Sequence, residues 1–115
     1  MKPSALILLA ALLAAAAGCQ SKVRYHWRHY EESVYAFTSE SEDFDLAAEI
    51  GELEEQLGYS VERGRPVPPG FHAHLGYLYY LAGNAAQARG HFETEKAKYP
   101  ESAAFMNDLL RRMAG

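Results

Sequence analysis

Between Pro69 and Pro100 the apolar positions keep a helical beat. Leu75, Leu78, Tyr79 and Ala82 fall at i, i+3, i+4 and i+7, the apolar stripe of one helix. Gly83 then supplies a residue that tolerates the left-handed turn ending a helix, and Asn84 supplies a side-chain oxygen to start the next. Gln87, three residues on, completes a capping-box-like start. Ala85, Ala88 and Phe92 stripe the second helix, and Tyr99-Pro100 closes it. Two antiparallel helices joined by a tight turn are expected, with Gly76 where a side chain would hold them apart. Upstream, Leu46, Ile50, Leu53, Leu57 and Val61 mark a long amphipathic helix. The acidic run Ser39–Asp43 feeds its N-terminus and Arg63-Gly64-Arg65 ends it, as the helix dipole favours. Trp27, Tyr30, Val34 and Phe37 suggest a first short helix from about Trp27 to Thr38, although Tyr25 and Trp27 also alternate as an extended segment would. Pro66, Pro68, Pro69 and Gly70 form a rigid connection. Phe105, Met106, Leu109, Leu110 and Met113 stripe a last helix.

With Pro69 as the first position, Leu75, Gly76, Tyr79, Ala88, Phe92 and Pro100 fall on signature positions of a unit of about 34 residues that resembles the tetratricopeptide repeat. His72 stands where that repeat usually has Trp, and Glu95 where it has a small residue. The resemblance implies an all-α, right-handed stack of about five helices over 27–115. It has one well-formed repeat, a degenerate one before it, and a capping helix after it. Phe92 is expected at its centre. Such repeats are interaction scaffolds of many kinds, so the fold alone names no activity.

The first residues change the picture of where this domain works. Lys2 is followed by an apolar run from Ala5 to Ala17, which suits a signal-peptide core better than a bilayer span. Ala16-Ala17-Gly18-Cys19 resembles the lipidation box of bacterial lipoproteins, and Cys19 is the only cysteine. The expected division is a lipoprotein signal peptide at 1–18, a lipidated tether at 19–26, and the helical domain at 27–115. The alternative is an ordinary secretory signal with a free thiol. Acylation of Cys19 would leave no thiol for a disulfide or for catalysis. Gln20 in the sorting position leans towards the outer membrane, a rule carried over from lipoproteins in general. Acidic residues outnumber basic ones 15 to 11, and no basic stripe offers a nucleic-acid footprint.

Candidate chemistry is sparse. His72 and His74, two apart on a helix, face different ways. His26 and His29 share a face without a Cys or carboxylate to complete a metal site. His91 stands isolated. His72 is expected to pack at the repeat's Trp position, with the other histidines in solvent. Ser33, Ser60 and Ser102 lack a nucleophile-elbow context, and Glu52, Glu54 and Glu55 read as the wet side of the long helix. No phosphate loop or dinucleotide fingerprint is present. The expectation is therefore no enzyme, no metal and no cofactor. The aromatics carry more. Tyr77, Tyr79 and Tyr80 cannot all point inward, and Tyr79 belongs to the core by register. Tyr77 and Tyr80 either pack between repeats or, with Trp27, line a partner groove, where amphipathic rings are favoured.

The lipidation box, Tyr25-x-Trp27-x-x-Tyr30, Gly64–Tyr79 and Tyr99–Met106 together resemble a family of small proteobacterial lipoproteins known only as a domain of unknown function. A commoner pattern there has Gly at the position of Arg28. Members are often encoded beside a lipoprotein resembling the curli secretion channel. The resemblance implies a scaffold on the periplasmic face of the outer membrane, held by its lipid anchor and binding an envelope protein such as that channel-like lipoprotein. The competing expectation is a regulator of peptidoglycan synthesis or remodelling that binds a cell-wall enzyme or glycan.

Overall fold

The computed structural model describes residues 2–17 and 25–115, and within them the chain is all-helical, without a strand. An N-terminal helix α1 (Pro3–Ala17) precedes five others: α2 (Tyr30–Thr38), α3 (Leu46–Glu62), α4 (Phe71–Leu81), α5 (Ala85–Lys98) and α6 (Ala103–Ala114). A 3₁₀ turn, Pro100–Ser102, leads into α6. Cys19 and most of the expected tether lie outside the described residues. No helix among the described residues is long and apolar enough to cross a membrane.

Helix ends follow the local chemistry. The Asp45 side chain accepts from the Ala48 amide at 3.1 Å and starts α3. Asn84 Oδ1 accepts from the Gln87 amide at 3.2 Å and starts α5, after Gly83 has turned at φ +81°. The first helix departs from expectation: it begins at Tyr30, not Trp27. Arg28 takes φ +27°, and Gln56, buried on α3, donates to the carbonyls of His26 and Trp27 at 2.9 and 3.1 Å. Those bonds pin residues 26–27 against α3 as a turn.

The α4–α5 hairpin is the heart of the stack, with α3 packed on one side and α6 on the other. Gly76 explains its closeness. A Cβ there would stand 2.8 Å from Phe92 Cε1 and 3.1 Å from the Ala88 carbonyl oxygen. Leu53, Val67, Phe71, Leu75 and Leu78 form one core, flanked by Tyr30, Phe37, Phe44 and others. Ala88, Phe92, Met106 and Leu110 form the second. Tyr79 packs against both. Both cores are built from residues between Tyr30 and Met113. This arrangement is compatible with a tetratricopeptide-like helical stack. Two stripe positions depart: Val61 and Phe105 are largely exposed.

Candidate functional site: a tyrosine-lined groove and a buried histidine network

The face of α4 opposite α3 meets α6 across a cleft of about 300 Å³, lined by Tyr77, Tyr80, Phe92, Leu109, Arg112 and Met113. Register decides the lining. Leu75 and Leu78 are fully buried, Tyr79 lies between the two cores, and Tyr77 and Tyr80 are left facing outward, 38% and 48% exposed. Their rings stack with centroids 6.2 Å apart and planes at 24°. Tyr77 also meets Phe37 of α2 edge-on at 5.8 Å, so it serves both readings, packing between elements and lining the groove. Phe92 forms the floor and Arg112 the polar rim. Arg112 is held by Asp108 at 2.8 Å.

Trp27 does not join this groove. Its ring sits in a separate aromatic ladder, 6.3 Å from Tyr25 and 6.1 Å from Tyr30, which in turn meets Phe71. The three residues expected to share one surface therefore lie on two.

The histidines differ from expectation more sharply. His72 is buried at the repeat's Trp position, as expected, but His91 is buried beside it. Their Nδ1 atoms are 3.0 Å apart. His91 Nε2 lies 3.4 Å from Glu54 Oε1, which also accepts from the Tyr79 hydroxyl at 2.8 Å. The Tyr79 and His91 rings are nearly parallel, 5.5 Å apart. One tautomer set satisfies the contacts: His91 Nε2–H faces the carboxylate, and its Nδ1 accepts from His72 Nδ1–H. His72 Nε2 is then a lone pair without a partner. Burial, then the His91 and Lys98 charges, holds His72 down at about 4. Burial lowers His91 against the opposing pull of Glu54. Burial and the bond to Glu54 push Tyr79 up to about 12. Glu54, expected on the wet side of α3, keeps 39% of its side chain exposed and is the solvent-facing end of this network.

The remaining histidines are also partnered. His74 Nε2 bonds Ser33 Oγ at 3.0 Å, and burial, opposed by Glu49, lowers His74 to about 4. His26 Nδ1 bonds Ser60 Oγ at 2.7 Å, and His29 Nε2 faces Glu49 at 2.9 Å. Neither serine is placed as a nucleophile: both are buried, and their bonds tie α2 to α4 and residue 26 to α3. No group of three or more His, Cys, Asp or Glu among the described residues is placed to hold a metal ion.

Glu95 shows why a small residue is missing from its position. It is buried on α5, and its Oε1 accepts from the Gly70 amide at 2.5 Å. Gly70 heads α4 and offers no side-chain cap. Burial raises the Glu95 carboxyl, while the amides of Gly70, His72 and Ala73 draw it down. A carboxyl from α5 therefore does the work of a missing cap. The signal was present in the sequence as two oddities in one unit, an uncapped Pro-Pro-Gly start and an acid out of place.

The family described as Domain of unknown function (DUF4810) matches residues 24–109. The chain belongs to this family. The match takes in α2 to α5 whole and the first part of α6, and so includes the histidine network, the aromatic ladder and the groove as far as Leu109, with Arg112 and Met113 beyond it. No curated protein and no solved structure matches the chain.

Proposed function

We propose that this DUF4810 protein is a lipid-anchored, non-enzymatic scaffold on the periplasmic face of the outer membrane, which binds an envelope protein through the α4–α6 groove. The observation that carries the reading is the pair of stacked, outward-facing tyrosines over an apolar cleft floored by Phe92. Rings of this kind join a large apolar body to a polar tip, and they hold little entropy to lose on binding. The anchor reading is supported by the apolar N-terminal helix α1 and by the sole cysteine of the chain just beyond it, after small residues. Anchoring would raise the effective concentration of a weak interface. The lipoprotein resembling the curli secretion channel is the first partner to seek.

Crosslinking in the intact envelope tests the reading. Recovery of the channel-like lipoprotein supports it, and recovery of a peptidoglycan synthase or hydrolase supports the cell-wall alternative instead. Tyr80→Ala is expected to keep the fold, with less than about 1 kcal/mol lost as for exposed sites, yet to cut capture at least tenfold. Unchanged capture would remove the groove from the proposal. Mass spectrometry of the mature N-terminus tests acylation of Cys19 separately.

A further inference from the structure

Four cations gather at the end of the molecule where the chain leads in from Cys19. Arg63 Cζ lies 3.5 Å above the Tyr59 ring, and Arg28 Cζ 5.0 Å from the same ring. The charges of Arg28, Arg65 and Arg63, behind the effect of burial, lower His26. Lys98 closes the cluster, sharing one cleft with Arg65 and another with Tyr25 and Tyr99. All four are exposed, and none makes an ion pair among the described residues. Of the other cations in the helical domain, Lys96, Arg111 and Arg112 are paired with acids, and Arg89 on α5 is exposed. Arg63 and Lys98 stand at helix C-termini and Arg65 just beyond one, where the dipole favours a cation, but Arg28 does not. Arg28 even holds φ +27°, a conformation that costs a side chain about 1–2 kcal/mol. Strain of that kind persists where the residue is needed. Beside it stands Trp27, 41% exposed and in ring contact with Tyr25.

We infer that this basic and aromatic face docks on the anionic phospholipid headgroups of the membrane to which the chain is anchored. The inference rests on the anchor reading for its geometry. Five residues separate Cys19 from Tyr25, a reach of at most about 20 Å over the six steps between them, so the face is held close to the bilayer. Surface cations are attracted there by about 1 kcal/mol each, and tryptophan prefers the headgroup level. In a chain with more acids than bases, segregated cations also set orientation. They turn the acidic start of α3 away from the lipid.

The test uses residues 20–115, which contain both cores, with vesicles of phosphatidylcholine alone or mixed with phosphatidylglycerol. Trp27 is the only tryptophan, so its emission reads the proposed face directly. Sedimentation with the anionic vesicles and a blue shift of Trp27 emission are expected, with neither on neutral vesicles. The triple variant R63Q/R65Q/K98Q should lose about a hundredfold in partitioning, about fivefold per cation, with its helical circular dichroism intact. The control K96Q/R111Q/R112Q should lose less than a tenth as much. Equal binding to both vesicles, equal loss in both variants, or anionic binding without a Trp27 shift would overturn the inference. So would retention of the face by an acidic polypeptide in preference to the vesicles. An unmodified Cys19 in cells would sink the anchor while leaving the vesicle result standing, so the two failures are distinguishable.

Discussion

His72 and His74 are held neutral by burial, and that gives the domain a defined response to acid. Both sit at about 4 when folded, against 6.5 when free. Above pH 6.5 neither state takes up protons at these sites, and their contribution is constant. Between 6.5 and about 4 the unfolded chain binds protons that the folded chain refuses, so stability falls as pH falls. Glu95 acts in the opposite sense, because its raised carboxyl binds its proton earlier in the folded state. Urea midpoints should therefore decline from pH 7.5 to 4.5, and His74→Gln, which keeps a bond to Ser33 within reach, should flatten the decline. A midpoint independent of pH over that window would show that the two rings are not buried as described. Arg28 makes a second residue-scale case. Arg28→Gly should raise stability by about 1 kcal/mol, since glycine adopts the positive φ at no steric cost. A loss instead would mean that the guanidinium over Tyr59 contributes more than the strain removes.

At the scale of elements, α4 and α5 are legible because each boundary is written locally. Gly83 and Asn84 settle one turn, and Pro69-Gly70 and Tyr99-Pro100 settle the outer ends. The start of α2 is not written locally. The spacing of Trp27 fits a helix, and partners distant in sequence hold it out of one: Gln56, about thirty residues away, bonds the carbonyls of His26 and Trp27, and the His26 amide donates to the Pro66 carbonyl. The site divides in the same way. Tyr77 and Tyr80 can be assigned outward because Tyr79 must go in, whereas the company Trp27 keeps depends on where α3 lies. His91 reads as solvated because it is polar and isolated in sequence, and its burial and its pairing with Glu54 bring together residues two helices apart. The hairpin's own interlock makes a sharp prediction. Phe92→Ala should cost about 3–5 kcal/mol. Gly76→Ala should cost about 1–3 kcal/mol by overpacking, because its Cβ meets the Phe92 ring. Once Phe92 is alanine, Gly76→Ala should cost nothing or gain up to about 1 kcal/mol from helix propensity. Additive losses in that double-mutant cycle would place the clash elsewhere.

For the whole molecule, the question is whether two cores behave as one. The first lies among α2, α3 and α4, the second between α5 and α6, and each would be small by itself. Three features bind them. Tyr79 packs against both cores and bonds Glu54 of α3. The His72–His91 contact crosses the hairpin. Glu95 of α5 caps α4, and the Tyr99 hydroxyl donates to the Val67 carbonyl in the connection from α3. Damage at one end should therefore be felt at the other. Met106, 1% exposed, lies in the second core, whereas Trp27, the single tryptophan, meets Tyr30, which packs against the first. Met106→Ala should cost about 2–5 kcal/mol. In urea its helical signal and its Trp27 emission should shift to lower midpoints together, superimposing on one transition. If Trp27 kept its original midpoint while helicity fell in two steps, the α3–α4 half would be stable without α5 and α6. The polar ties across the hairpin would then be too weak to couple the halves, and the groove between α4 and α6 would be able to open without unfolding the rest.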